Sequence, residues 1–199
     1  GANGIDEMVL AVGLALKAQP SFVYTYLNTL DSAGHSDGVG SDKWLTALSQ
    51  VSEFITKVKL SVPAGTRVWV TSDHGMVNST EQLILGQDND LLKNVTLIGG
   101  EPRARHIYIK EGAESETISQ WQEQLAGKAQ VLSKESAITS GLFGEVVSED
   151  SRERMGDLIA IAQNDLILID PDRIREESSM VGHHGGVTNT EVAIPLLLG

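Results

Sequence analysis

The 199-residue sequence predicts an α/β domain in which a mainly parallel sheet is flanked by helices. Two apolar segments rich in β-branched and aromatic residues, 21–29 and 67–71, are typical of buried strands. An amphipathic helical segment lies between them, as in a strand, helix, strand unit. Acidic and histidine side chains follow each strand directly, and ligands bind at the carboxyl ends of parallel strands. That edge of the sheet is therefore the expected functional surface.

The first elements are a helix and a strand. Residues 5–17 are apolar on most faces and acidic in the first turn, which predicts a largely buried helix. Residues 21–29 follow as the central strand. This strand leads into residues 31–35, whose small side chains predict a loop. The loop carries the first aspartate and histidine of interest.

The next elements are a long helix and a short strand. Residues 42–60 place apolar side chains at helical spacing, and Ser41 is the expected N-cap. Residues 67–71 form the second predicted strand, which runs directly into the Ser-Asp-His-Gly-Met sequence of residues 72–76. A second acidic and histidine pair therefore lies at the end of a strand.

The middle of the chain has a different pattern, which predicts a small α+β insertion. Residues 105–110 alternate like a strand, and residues 114–125 have the spacing of an amphipathic helix. A short strand at 129–133 and a helical turn at 134–139 follow. We interpret this region as a cap inserted into the core.

The last part returns to apolar strands. Residues 157–162 and 165–170 predict two strands joined by a tight hairpin. Residues 171–180 are polar and predict a loop, and residues 191–198 predict a final strand. The expected division is a core part with the Asp and His motifs (1–100), a cap-like insertion (101–156) and a return to the core with the last histidine (157–199).

Composition excludes several classes of function. The net charge of −12 argues against non-specific binding to nucleic acids or anionic membranes. Cysteine is absent, which excludes disulfides, thiolate metal sites and thiol catalysis. The sequence has neither a signal-peptide pattern at its start nor an apolar run of about 20 residues, as a membrane helix requires. These absences do not fix the location, which stays unknown with a leaning towards the cytoplasm.

Three segments carry side chains that bind metal ions. Asp31 and His35 are four residues apart, Asp73 and His74 are adjacent, and residues 182–186 contain two histidines between glycines. Carboxylate and imidazole ligands suit zinc and similar divalent ions. Each segment alone is more typical of a turn with a solvated histidine. Their joint occurrence in one cysteine-free chain favours a metal site.

The same segments resemble a known family. The sequences at 26–35, 70–76 and 184–186 are similar, in order and spacing, to the nucleotide pyrophosphatase/phosphodiesterase branch of the alkaline phosphatase superfamily. Residues 101–106 also resemble the segment that opens the cap in bacterial members. The resemblance covers only the C-terminal half of such a protein. It implies an alkaline phosphatase-like α/β fold and hydrolysis of a phosphodiester or pyrophosphate.

The resemblance also implies a ligand set. The family holds two divalent ions, commonly zinc, about 4 Å apart. Carried over by motif, Asp31, His35 and His184 hold one ion, and Asp73 and His74 hold part of the second. In the family the remaining ligands, an aspartate and the Thr or Ser nucleophile, belong to segments that precede the matching part. No catalytic nucleophile is therefore assigned here, and this chain by itself is expected to be inactive.

Two partners are expected. One is a small-molecule phosphate ester, with a nucleotide as the first candidate, and the other is the N-terminal half of the same polypeptide. A phosphomonoesterase, a phosphonoacetate-type hydrolase or a phosphomutase of the same superfamily would use the same ligands. The alternative that is not an enzyme is a metal-binding or purely structural domain. A sulfatase is disfavoured because that branch lacks this set of histidines.

Other polar residues are interpreted as structural. His183 is a neighbour of the ligand, because the family motif has its histidine directly before glycine. His106 is expected to pack within its strand, and Arg103 and Arg105 are expected to be solvated rather than to reach a substrate phosphate.

Overall fold

A computed structural model describes residues 4–18 and 20–199. The chain divides into two compact units, one formed by Gly1–Asp73 with Ile194–Gly199 and the other by His74–Ala193. Within the described residues, no helix combines the length and the apolar character needed to cross a membrane.

Helices and strands are distributed over both units. The α-helices of the described residues are α1 (Ile5–Ala15), α2 (Thr29–Asp37), α3 (Asp42–Ser61), α4 (Glu114–Gln124), α5 (Lys134–Thr139), α6 (Glu149–Glu153), α7 (Ile174–Glu177) and α8 (Asn189–Val192). The strands are β1 (Trp69–Thr71), β2 (Val77–Asn78), β3 (Glu81–Ile84), β4 (Val95–Glu101), β5 (Ala104–Ile109), β6 (Ala129–Ser133), β7 (Leu158–Ala162), β8 (Leu166–Ile169), β9 (Gly182–His183) and β10 (Leu196–Leu198).

The first unit is built on the packing of α1 against α3. Val12 of α1 and the adjacent Leu16 contact Phe54 and Val58 of α3 in one buried cluster. The predicted N-cap is confirmed, because the Ser41 hydroxyl accepts a hydrogen bond of 3.2 Å from the backbone N–H of the third residue of α3. Both predicted helices are therefore present, but α1 is not largely buried as predicted, because Val12 is its one buried residue and Leu10 and Leu14 are exposed. Strand β1 pairs antiparallel with β10.

The predicted central strand at 21–29 is not formed. Residues 21–28 have no regular structure, and none of the strand pairings among the described residues includes them. Their aromatic side chains are exposed, with Phe22 at 91%. A strand requires a hydrogen-bonded neighbour, and strand propensity alone does not supply one.

The predicted loop at 31–35 is also wrong, because these residues lie within helix α2. Asp31 lies in the first turn, where a carboxylate interacts favourably with the positive end of the helix dipole. Gly34 is buried, so a small residue that suggests a loop serves here as a packing position.

The second unit contains an antiparallel sheet with the strand order β4-β5-β7-β6. Strand β7 is buried at every position because it is central and covered on both faces. Trp121 and Leu125, in and just after α4, pack against one face of this sheet, and Ala137 of α5 and Met155 pack in a cluster with the alternate residues of β7. The predicted elements at 105–110, 114–125, 129–133 and 134–139 are thus present, as β5, α4, β6 and α5.

The predicted hairpin of residues 157–162 and 165–170 is wrong. Strand β7 pairs with β5 and β6, whereas β8 pairs in parallel with β3. Both strands are buried along their whole length, and each pairs with strands of a different sheet. The turn at Gln163 and Asn164 therefore connects two sheets and does not close a hairpin. Two further predictions need correction: residues 171–180 contain a 3-10 turn (Pro171–Arg173) and α7, and residues 191–198 begin in α8 and are a strand only in β10.

The α/β class is confirmed, but a mainly parallel sheet is not observed among the described residues. There, β3 with β8 is the one parallel pairing, and the other pairings are antiparallel. The segment expected to form the parallel centre, residues 21–28, is unpaired, and β1 takes the returning strand β10 as its neighbour. The β4-β5-β7-β6 sheet contains strands on both sides of the expected boundaries at 101 and 156, and the three-part division stays a prediction.

Candidate metal centre

In the first unit, α2 places Asp31 and His35 on one face. Residues four apart on a helix are neighbours, and here Asp31 Oδ1 lies 3.4 Å from His35 Nε2. Both side chains are partly exposed. The helix therefore gives the pair a more fixed separation than the predicted loop would.

Asp73 lies two residues after the end of β1 and adds a second carboxylate to this unit. Its charge, then burial, then the charge of Asp31 raise the pKa of the Tyr26 phenol above its usual value. Both carboxylates therefore place negative charge near the Tyr26 phenol.

In the second unit, His74 and His184 lie against each other. Their rings are stacked with centroids 3.6 Å apart and an interplanar angle of 16°. Each ring offers one nitrogen, and these two ligand atoms lie within 4.8 Å of each other. The structure thus brings together two predicted site residues that are far apart in the sequence.

The pairing of β2 with β9 explains why these histidines meet. His74 comes shortly before β2, and His184 comes directly after β9. The two strands are antiparallel, with Val77 opposite His183. In an antiparallel pair, the residues before one strand lie beside the residues after the other. This short ladder therefore fixes the approach of both rings.

Backbone contacts also define the orientation of His74. Its Nδ1 lies 2.8 Å from the carbonyl oxygen of Gly75, which can only accept. The tautomer that satisfies this contact carries hydrogen on Nδ1 and a lone pair on Nε2, the arrangement of many metal-bound histidines.

Gly75 is required by the close approach of another segment. A Cβ atom at this position would lie 1.9 Å from the carbonyl oxygen of Thr190, well inside van der Waals contact. The Gly75 N–H donates a hydrogen bond of 2.7 Å to the carbonyl of Glu191. The absence of a side chain thus allows the His74 segment to lie on the segment that contains α8.

Glu191 is a polar residue of this region that the sequence reasoning missed. Its carboxylate is buried and accepts hydrogen bonds from the Arg103 guanidinium, at 3.0 Å from Nε and 2.7 Å from Nη2. It also accepts from the Gly186 N–H at 2.9 Å and from the Thr188 hydroxyl at 2.6 Å. Burial raises the pKa of Glu191, but these donors outweigh it and hold the pKa below its usual value. The signal in the sequence is the capping box Thr188-x-x-Glu191.

The interpretation of Arg103 and Arg105 as solvated is wrong. Both are fully buried, and each pairs with one carboxylate, Glu191 for Arg103 and Glu177 for Arg105. Arg105 also donates to the carbonyl oxygens of Leu168 and Gly100, each at 2.8 Å. These guanidinium groups form buried ion pairs and are not accessible to a substrate.

The two remaining histidines lie in structural surroundings. His183 is buried, and its Nε2 lies 3.1 Å from the carbonyl oxygen of Glu177. His106 lies on β5, where its Nδ1 accepts a hydrogen bond of 3.2 Å from the Gly156 N–H. Burial, and then the charge of Lys134, lower the pKa of His106.

The fold together with these Asp and His side chains defines the class as an alkaline phosphatase-like α/β protein. The family model described as type I phosphodiesterase / nucleotide pyrophosphatase matches residues 3–187. The chain therefore belongs to this family, as the resemblance of its motifs predicts. No curated protein matches the chain.

Solved structures share this fold. Murine ectonucleotide pyrophosphatase / phosphodiesterase 5 is 18% identical with a TM-score of 0.72, covering 98% of this chain and 52% of its own. An inactive variant of the murine protein in complex with AMP is 19% identical with a TM-score of 0.70 and the same coverage. Phosphonoacetate hydrolase from Sinorhizobium meliloti 1021, in complex with phosphonoacetate, is 16% identical with a TM-score of 0.63, covering 84% of this chain and 43% of its own.

At these identities the likeness shows the fold alone. The chain spans about half the length of the solved relatives that it matches. The resemblance implies that the family depends on metal ions. Asp and His side chains of the kind that bind such ions are present in each of the two units of this chain.

Proposed function

We propose that this chain carries metal ligands of a phosphodiesterase or nucleotide pyrophosphatase. In this proposal Asp31, His35 and His184 hold one divalent ion, with zinc the first candidate, and Asp73 and His74 hold part of a second. The observation that carries the proposal is the stacking of His74 and His184, from two family-matched segments, at 3.6 Å.

The donor set fits zinc. The proposed ligands are carboxylate oxygens and imidazole nitrogens, which zinc prefers when thiolates are absent. Asp31 and His35 lie on one helix face, and the Gly75 carbonyl favours the His74 tautomer with its lone pair on Nε2. Bound ions of this kind polarise phosphoryl oxygens and lower the pKa of water. The aspartates in turn partly neutralise the charge of the ions.

The activity proposed for the whole protein is hydrolysis of a phosphodiester or pyrophosphate, with a nucleotide as substrate. The AMP complex of the murine relative supports a nucleotide. We further propose that the hydroxyl nucleophile comes from an N-terminal half of the same polypeptide, because no Ser or Thr of this chain matches the family position. Given zinc and bis(p-nitrophenyl) phosphate, this chain alone should therefore give no turnover above buffer, and clear turnover lost in His184→Ala would contradict this part of the proposal.

A phosphonate hydrolase is the second candidate. The fold shared with the bacterial phosphonoacetate hydrolase favours it, because that enzyme is solved with phosphonoacetate bound. A protein completed by an N-terminal half separates the two: release of phosphate from phosphonoacetate supports the second candidate, and cleavage of a dinucleotide supports the first.

Zinc stoichiometry tests the metal ligands directly. The chain is exposed to excess zinc, desalted and subjected to elemental analysis beside His184→Ala, with His183→Ala as the matched control. We expect about one ion in the wild type and in His183→Ala, and none in His184→Ala. A wild type without zinc, or equal zinc in all three proteins, would contradict the ligand assignment.

A further inference from the structure

Glu191 connects the two segments that carry the stacked histidines. Its backbone carbonyl accepts the Gly75 N–H at 2.7 Å, directly after His74. Its carboxylate accepts the Gly186 N–H at 2.9 Å, two residues after His184. One residue therefore contacts the backbone next to both histidines.

The carboxylate is held in place from the opposite side by Arg103. The Nε and Nη2 donors of Arg103 bind the two oxygens separately, and its Nη1 donates to the Leu166 carbonyl at 2.6 Å. Both side chains are almost completely buried. This arrangement attaches Glu191 to strand β8 and so to the core of the unit, which makes it a rigid support for the two histidine segments.

We propose that Glu191 is a positioning residue, which sets the distance between His74 and His184 that metal binding requires. The inference rests on the proposed function and deepens it, since the hydrogen bonds of Glu191 described above go to Arg103, to Thr188 and to the backbone near the histidines. Residues that orient metal ligands without touching the ion typically contribute about 10- to 100-fold to metal affinity.

Glu191→Gln is the informative variant, because every partner of the carboxylate is a donor. The donors are Arg103, the Gly186 N–H, and the N–H and hydroxyl of Thr188. The amide NH₂ of glutamine would face these donors and lose several hydrogen bonds at nearly constant volume.

Glu177→Gln is the matched control. It breaks the other buried arginine pair of the same unit, with Arg105, and also leaves a guanidinium without its carboxylate. Its carboxylate accepts from Arg105 and from the Asp170 N–H, and its contact with His183, next to His184, is made by the backbone carbonyl, which the substitution leaves unchanged. Both variants should therefore lose stability, whereas only Glu191→Gln should affect the histidines.

The first readout needs no metal. Stacked imidazoles shift each other's ring proton resonances, and ¹H–¹³C spectra of the metal-free protein, assigned with His184→Ala, report this contact. We expect the resonances of His74 and His184 to move towards unstacked values in Glu191→Gln and to stay in place in Glu177→Gln. Unchanged resonances in Glu191→Gln would overturn the proposal.

The second readout is zinc affinity, measured by competition with a chromophoric chelator. We expect the Kd for zinc to rise at least about tenfold in Glu191→Gln and less than about threefold in Glu177→Gln. Equal Kd values for the wild type and Glu191→Gln would overturn the proposal.

The two readouts separate the positioning proposal from the proposed function. A wild type that binds no zinc contradicts the proposed function, and the ring resonances then decide the role of Glu191 alone. If Glu191→Gln does not fold, Thr188→Val replaces it, because this change keeps the carboxylate and removes the Thr188 hydroxyl, which donates to it at 2.6 Å and caps α8. A smaller shift of the same resonances is then expected, and no shift would contradict the proposal.

Discussion

Two arginines, Arg103 just before β5 and Arg105 within it, are each buried with a glutamate. Removing a charge from water is costly unless an opposite charge and further hydrogen bonds replace the solvent. Here carbonyl oxygens of β8 accept the remaining guanidinium donors. The two ion pairs therefore connect the strand to the segments that contain α7 and α8, and single residues determine how the histidine segments are supported.

Gly75→Ala should destabilise the protein and disturb the His74 segment. The new methyl group would lie 1.9 Å from the Thr190 carbonyl oxygen, a backbone atom that cannot rotate away. Overpacking of this kind costs about 1 to 3 kcal/mol. Urea unfolding measures the loss.

Gly13→Ala is the control for that experiment. Gly13 lies inside α1, where a methyl group would be 3.7 Å from its nearest neighbour, the Ser61 carbonyl oxygen. Because alanine is the better helix former, this variant should gain up to about 1 kcal/mol. A Gly75→Ala protein as stable as the wild type would contradict the close approach.

His106 should make stability depend on pH. Burial lowers its pKa below 6.5, and Nδ1 must stay unprotonated to accept the Gly156 N–H. Between the folded pKa and 6.5 the unfolded chain binds more protons, so the free energy of unfolding falls as the pH is lowered through this range.

The check is urea unfolding at several pH values, with His106→Gln beside the wild type. Glutamine can accept from the Gly156 N–H but does not titrate, so its curve should be flatter between pH 6.5 and the folded pKa. Parallel curves for the two proteins would show that His106 does not contribute.

At the scale of elements, helices were easier to predict than strands. The helical spacing of apolar residues predicted α1, α3 and α4, because a helix satisfies its backbone within one segment. Strands depend on distant partners. The segment 21–28 has strand composition without a partner among the described residues, and β7 and β8 pair with different neighbours although they are consecutive.

Ser41→Ala should weaken α3. The Ser41 hydroxyl accepts the Trp44 N–H at 3.2 Å, and losing such an N-cap costs about 1 kcal/mol. Ser49→Ala, in the middle of the same helix, removes a hydroxyl that only contacts the Leu45 carbonyl and should change stability by a few tenths of a kcal/mol. Urea unfolding separates the two, and equal effects would contradict the capping role.

For the whole molecule, the candidate ligand side chains stand out in the sequence, but the contacts that support them do not. Asp31 with His35 and Asp73 with His74 are local motifs that stand out in the sequence. The contact between His74 and His184 depends on the β2–β9 pairing and on Glu191, which involve residues far apart in the chain. Such long-range contacts leave no local pattern beyond the capping box.

The central proposal is that Asp31, His35 and His184 bind one ion. The most direct measurement is anomalous diffraction from crystals of the zinc-treated chain, recorded above and below the zinc absorption edge. The proposal predicts the strongest anomalous peak about 2.0 to 2.2 Å from ligand atoms of all three residues. A strongest peak that contacts none of them, or that stays in place in crystals of His184→Ala, would contradict it.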